Sequence, residues 1–212
     1  MVIRALDMFG TTVFAATGAL AAGRKRMDVL GIMVVALATA VGGGTLRDVL
    51  LGWRPVFWVS DPTYVLFAAL GAVLAIACFR FADSRGRLLL LNDAIGLAVF
   101  TIVGCQRAMD AGTTSIVAVL MGVTTGVAGG VFRDVLCGDV PVVLRSEIYA
   151  TASLLGGTVF LIGRSNLPQP IAIALGMATT LLVRLVALRW HLSLPVVSGR
   201  PEPANPQENE GV

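Results

Sequence analysis

The chain has 212 residues, of which 56% are apolar and 14% charged, with a net charge of +3 and a mean hydropathy of +0.84. A soluble domain carries about 25% charged residues to cover its core, so a soluble globular enzyme and a disordered chain are excluded, and the basic excess points to membrane topology rather than to nucleic acid. The apolar runs are long and rich in Ala, Leu, Gly and Val, without the alternation of a transmembrane β-barrel, which predicts an all-α polytopic membrane protein.

Seven apolar runs approach the roughly 20 residues that a span requires: 6–23, 29–51, 62–80, 88–106, 112–136, 148–163 and 168–188. Turn signals separate them, among them Gly52-Trp53-Arg54-Pro55, Asp61-Pro62, Gly138-Asp139-Val140-Pro141 and Pro168-Gln169-Pro170. With the N-terminus outside, the inner segments hold Arg24, Lys25, Arg26, Arg80, Arg85, Arg87, Arg145, Arg189 and Arg200, and the outer ones only Arg4, Arg54, Arg107 and Arg164. The positive-inside rule therefore gives an outer N-terminus and a cytoplasmic C-terminus. The first run resembles a signal peptide, but its strong positives follow the apolar stretch instead of preceding it, so it reads as a mature helix. The tail, 195–212, has four prolines, three glutamates and no apolar period, and is expected to be disordered.

Sliding the chain by 86 residues lays Thr39–Val56 on Thr125–Val142 with eleven identities in eighteen positions. These include Thr39/Thr125, Gly43/Gly129, Gly44/Gly130, Arg47/Arg133, Asp48/Asp134 and Gly52/Gly138. The first helix repeats in the fourth at the same offset, through Asp7/Asp93, Gly10/Gly96, Phe14/Phe100 and Gly18/Gly104. Each copy holds three runs, an odd number, so the two copies enter the membrane from opposite sides. The expectation is an inverted repeat with residues 1–86 as the first three-helix unit and 87–167 as the second. A seventh helix over 168–194 and the cytoplasmic tail over 195–212 complete the chain.

In such folds the pathway lies where interrupted helices of the two copies meet. Gly42, Gly43 and Gly44, matched by Ala128, Gly129 and Gly130, fit an interruption. Two readings stay open: broken helices beside a polar path, or close helix contact through small residues. The charges that follow directly favour the first for the tracts. The scattered Gly10, Gly18, Gly71, Gly96 and Gly104 fit the second. Thr39 and Thr125, one turn before the tracts, either bond their own helix or line the path.

Arg47-Asp48 and Arg133-Asp134 fall inside spans, where each charge costs about 2.5–3.5 kcal/mol without a partner or water. Adjacent helical side chains point about 100° apart, so neither neighbouring pair is expected to close on itself. Asp7, at the end of the first helix, is assigned to Arg47, and Asp93 in the fourth to Arg133; snorkelling to headgroups is the alternative. Arg184 reads as a snorkelling residue near the end of the last helix. Trp53, Trp58, Tyr64, Tyr149 and Trp190 read as interface anchors. Cys78, Cys105, Cys137 and the lone His191 lack metal-ligand spacing, and no catalytic motif is present, so no enzymatic role is expected.

With GGGTLRDVL and AGGVFRDVLCGDVP standing 86 residues apart, the chain over about residues 5–190 resembles the bacterial members of the trimeric intracellular cation (TRIC) channel family. The resemblance implies a three-plus-three-plus-one arrangement of seven helices in the bacterial inner membrane. It implies a homotrimer with an hourglass pore inside each protomer, bounded by second and fifth helices kinked at Gly42–Gly44 and Gly129–Gly130. It further implies conduction of monovalent cations, chiefly potassium with sodium as a second ion, with membrane lipids and further copies of the chain as partners and no cofactor. Ala128 departs from the repeated tract, and the lysine-bearing pore motif of animal members is not evident, so their gating chemistry is not carried over. The family also resembles small bacterial membrane proteins held to move small neutral solutes such as glycine, which makes a secondary transporter the alternative. A structural or assembly protein would need neither buried charges nor paired tracts. For trimer contact the expected faces are the third and sixth helices, with the first and fourth as further candidates, and Gly71 and Gly156-Gly157 lie at matched depth.

Overall fold

A computed structural model describes residues 2–78, 86–145, 148–190 and 192. Among them the secondary structure is all helical, in nine elements: α1 Val2–Arg24, α2 Val29–Leu50, α3 Phe57–Ser60, α4 Thr63–Cys78, α5 Arg87–Asp110, α6 Ser115–Leu136, α7 Val142–Arg145, α8 Ala150–Asn166 and α9 Gln169–Trp190. The long helices match the seven apolar runs, and α3 and α7 are four-residue turns in the loops after α2 and α6. Five helices, α1, α2, α5, α6 and α9, are long and apolar enough to cross a membrane. α4 has 16 residues and α8 has 17, so by rise alone they reach only about 24–26 Å. The tail expected to be disordered, 195–212, lies outside the described residues.

The repeat is visible as recurring contacts. A Cβ at Gly18 would meet the Thr39 hydroxyl at 2.6 Å and the Ala36 Cα at 2.8 Å; a Cβ at Gly104 would meet the Thr125 hydroxyl at 2.6 Å and the Gly122 Cα at 2.8 Å. The α1–α2 and α5–α6 crossings are thus the same crossing, made twice. Phe14 and Phe100, themselves 86 residues apart, lie with ring centroids 5.0 Å from each other. Gly10 packs on Val99 and Phe100, while Gly96 packs on Phe14. Contacts of this reciprocal kind are what a two-fold relation produces.

The glycine tracts are where α2 and α6 cross. Both helices run unbroken through them, so the expected breaks at Gly42–Gly44 and Gly129–Gly130 are corrected. A Cβ at Gly129 would stand 2.6 Å from the Thr39 carbonyl oxygen, and one at Gly43 would overlap the Thr125 carbonyl oxygen. Those four residues are two repeat pairs in reciprocal contact. The glycines bring two backbones together, and the small-residue reading holds here as it does for Gly10, Gly18, Gly71, Gly96 and Gly104. Gly42 and Gly44 accommodate the rings of Phe132 and Phe57. Gly71 packs on the Thr12 carbonyl of α1, Gly156 on Thr180 of α9 and Gly157 on Cys105 of α5. These three glycines are spent inside the protomer, which corrects their assignment to trimer contact.

Each crossing helix ends in the same cap. Gly52 and Gly138 take φ of 72° and 71°, a left-handed conformation that glycine adopts without Cβ strain. The Gly52 amide bonds Val49 O and the Trp53 amide bonds Asp48 O; Gly138 and Asp139 repeat this on Val135 O and Asp134 O. This paired closure of the last turn satisfies carbonyls that would otherwise be orphaned. It also turns the chain back so that the next short helix starts beside the aspartate.

Candidate functional site

Both caps place a charged cluster at the far end of the α2–α6 crossing. At the first, Asp48 accepts from Arg47 Nε at 2.8 Å and from the Phe57 amide at 2.8 Å. At the second, Asp134 accepts from Arg133 Nε at 2.8 Å and from the Val142 amide at 2.9 Å. Neighbouring arginine and aspartate therefore do pair, against expectation. The reason is length: the arginine stem folds over the helix surface and carries its Nε back to the next residue. Arg47 and Arg133 are 0% and 1% exposed, so neither snorkels.

The assigned long-range partners divide. Arg133 Nη1 donates to Asp93 Oδ1 at 2.6 Å, and the Tyr149 hydroxyl donates to the same oxygen at 3.3 Å. That pairing is as expected. Asp7 is fully buried and takes the Tyr64 hydroxyl at 3.2 Å, but its ion-pair contact is Arg107 Nη2 at 3.6 Å, and no Arg47–Asp7 pair forms. Arg47 Nη2 lies 2.7 Å from Asp48 Oδ1 but off the hydrogen-bonding angle, and Nη1 has no hydrogen-bond partner. The Arg47 guanidinium sits 5.4 Å from the Phe57 ring centroid.

Two tyrosines and two arginines belong to the clusters that sequence reading placed elsewhere. Tyr64 and Tyr149 are 3% and 1% exposed, so they are cluster members and not interface anchors. They are repeat partners at offset 85, because one residue is lost between the second cap and its short helix. Phe57 and Val142 show the same slip. An alignment allowing that gap would have paired the tyrosines. Arg184 is 1% exposed with its guanidinium 4.7 Å from the Tyr149 ring centroid, which replaces the snorkelling reading. Arg107, taken as an outer loop charge, reaches Asp7 and lies 5.9 Å from the Trp53 ring centroid.

The remaining site residues line the crossing itself. Thr39 and Thr125 donate to Val35 O and Met121 O, each at 2.6 Å, so both hydroxyls return to their own helices. The first cluster opens into a cavity of about 550 Å³ walled by Arg4, Arg47, Asp48, Trp53, Arg54, Phe57, Asp61, Tyr64 and Arg107. At the second, the space between Gly130, Asp134, Val142 and Tyr149 has no room for a water molecule. At the rim of the cavity Asp61 bonds the Thr63 hydroxyl and amide and pairs with Arg4 at 2.7 Å. The Thr63 bond is the main reason its carboxyl is held below the ordinary carboxylate range, with Arg4 assisting. Among the described residues no group of three His, Cys, Asp or Glu side chains is arranged to hold a metal.

Comparison with known proteins places this arrangement. A family model described as "Glycine transporter" matches residues 4–80 and again 90–165. The inner membrane protein YadS of Escherichia coli K12, described as UPF0126, is 46% identical over 198 residues, covering 92% of this chain and 96% of that protein. A UPF0126 membrane protein of Deinococcus radiodurans is 40% identical over 194 residues, covering 90% of each. Among solved structures, the TRIC channel orthologue from Rhodobacter sphaeroides is 44% identical with a TM-score of 0.86, covering 90% of this chain and 99% of that one. A prokaryotic TRIC channel determined in 0.5 M KCl is 27% identical with a TM-score of 0.85, covering 92% and 99%. A membrane protein whose sequence, duplicated helices and fold all match along nine-tenths of its length, the chain belongs to the family of the UPF0126 proteins and is a bacterial member of the TRIC family.

Proposed function

We propose that the protein is a cation channel of the bacterial inner membrane, with its N-terminus outside and its C-terminus cytoplasmic. The reading takes α4 and α8 as spans with the five longer helices, giving seven in an inverted three-plus-three repeat with α9 added. It takes the active form as a homotrimer with an hourglass path in each protomer, constricted where Gly43 and Gly129 bring α2 and α6 together. Thr39 and Thr125 flank that constriction, and the Arg47-Asp48-Asp7 and Arg133-Asp134-Asp93 clusters stand at its two ends. Potassium is the chief ion on this reading, and sodium the second.

The observation that carries the reading is the likeness to solved TRIC channels along nine-tenths of the chain. Since α2 and α6 touch backbone to backbone, conduction requires them to part. Purified protein in planar bilayers should give unitary, voltage-dependent potassium currents. Gly43→Ala, which forces the helices apart, should alter open probability. Saturable uptake of glycine coupled to protons or sodium, without unitary currents, would instead support a secondary transporter. That second reading is favoured by the description of the matching family model.

A further inference from the structure

We propose that the cavity at the Arg47 cluster is a binding site for a small oxyanion, a carboxylate or phosphate, held by Arg47, Arg107 and Arg54. Four arginines and two aspartates wall this space, an excess of positive charge that is unhelpful at the mouth of a cation path. The two aspartates of the wall are already used, although Asp7 behind it keeps Oδ1 without a hydrogen-bond partner. Asp48 takes Arg47 Nε on one oxygen and the Phe57 amide on the other; Asp61 takes Arg4 on one and Thr63 on the other.

The donors are not used. Arg47 Nη1 is buried without a hydrogen-bond partner, and so is Arg107 Nε. Arg107 has its carboxylate contact only at 3.6 Å, and Arg54 is exposed, with no ion pair among the described residues. A wall with spare donors and occupied acceptors is complementary to an anion, and guanidinium forks match the two oxygens of a carboxylate or phosphate. A volume of about 550 Å³ suits a small molecule.

The repeat supplies an internal comparison. At the second cluster Arg133 Nη1 meets the Asp93 carboxylate at 2.6 Å. At the first cluster Asp7 does not come to Arg47, Nη1 is left over, and the pocket is open. The external oxyanion supplies to Arg47 what Asp93 supplies to Arg133.

The test uses the purified full chain in detergent at constant ionic strength, titrated with acetate, glycine or inorganic phosphate against chloride. Trp53 in the wall reports occupancy by its emission, and Trp53→Phe confirms the source of the signal. Saturable changes with the oxyanions but not with chloride, weakened tenfold or more in Arg107→Gln and in the exposed Arg54→Gln, are the expected result. No saturable change, an equal response to chloride, or unchanged affinity in both variants overturns the proposal. Titration repeated after adding phosphatidylglycerol separates the sources: competition identifies a lipid phosphate as the occupant, and undiminished binding identifies a free solute. No current enters the measurement, so its outcome is independent of whether the protein conducts.

Discussion

Replacing Gly129 by alanine probes the α2–α6 crossing directly. The new Cβ would lie 2.6 Å from the Thr39 carbonyl oxygen and 2.7 Å from the Phe14 ring, where about 3.5 Å is comfortable. A helix carbonyl cannot rotate away, so α6 must retreat from α2 by roughly 0.9 Å. Overpacking of this kind costs about 1–3 kcal/mol, while alanine recovers about 1 kcal/mol of helix propensity. Because the clash is with backbone that cannot yield, the upper part of that range, about 2–3 kcal/mol, applies, which leaves a net loss of about 1–2 kcal/mol; Gly43→Ala, whose Cβ meets the Thr125 backbone more closely, should lose at least as much. Both variants strain one interhelical separation, so the second substitution finds the helices already parted. The double variant should therefore lose less than the two singles together, with a coupling of about 1 kcal/mol. Gly44→Ala is the control, since the nearest atoms to its Cβ belong to the edge of the Phe57 ring, a side chain that can turn. Reversible unfolding in mixed micelles of SDS and a mild detergent measures all four. Unchanged stability in both singles, or strictly additive losses, would refute a crossing set by these glycines.

Asp93→Asn should destabilise by about 3 kcal/mol in the same assay, because it leaves buried Arg133 short of a charge partner; Asp7→Asn should cost less than about 2 kcal/mol, its arginine contact being longer and partly hydrated. Gly52→Ala and Gly138→Ala should each lose about 1 kcal/mol from left-handed strain alone, with no steric component, since nothing lies within 4 Å of either added Cβ; equal stability to the parent in both would count against the caps. Asp61, held down chiefly by Thr63 and also by Arg4, should titrate below the ordinary value of about 3.9. Its contact with Arg4 is then complete at neutral pH and lost as the pH falls through that lowered midpoint, and Thr63→Val should raise the midpoint seen by carboxyl NMR.

The helices and the duplication were legible because both rest on patterns that survive without coordinates: apolar length, and identity at a fixed offset. The pairing of Arg133 with Asp93 was legible too, because two charges of one repeat at one depth have few other partners. Other features were not. Glycines before charged residues read as a break, yet Gly43 and Gly129 serve backbone contact, and composition cannot distinguish a glycine that bends a helix from one that admits a neighbour. The pairing of Arg47 with Asp48 was dismissed on Cβ directions, which ignore how far an arginine stem reaches. Tyr64 and Tyr149 escaped because a rigid offset of 86 misaligns everything after the one-residue loss in the second loop. Arg184 escaped because α9 has no repeat counterpart against which to read it.

Equivalent sequence at the two clusters does not make them energetically equivalent, and amide exchange should show the difference. The Phe57 and Val142 amides do the same work, each donating to the aspartate that follows its arginine, at 2.8 and 2.9 Å. Bond length therefore predicts equal protection. Surroundings do not. Phe57 borders a water-accessible cavity of about 550 Å³, and the arginine on its aspartate has a donor to spare, so opening there exchanges a protein bond for a hydrated one. Val142 stands beside an arginine also tied to Asp93 and a tyrosine stacked by Arg184. Opening it disturbs a network of charges that share partners, which is costly in a low-dielectric interior. Local openings of this sort set exchange rates in native proteins. The Val142 amide should be protected at least tenfold more than that of Phe57, a difference of about 1.4 kcal/mol in opening free energy, and Asp93→Asn should bring the two closer. Equal protection in the parent, or greater protection at Phe57, would mean that the Arg133–Asp93 pair contributes nothing to holding that end of the crossing shut.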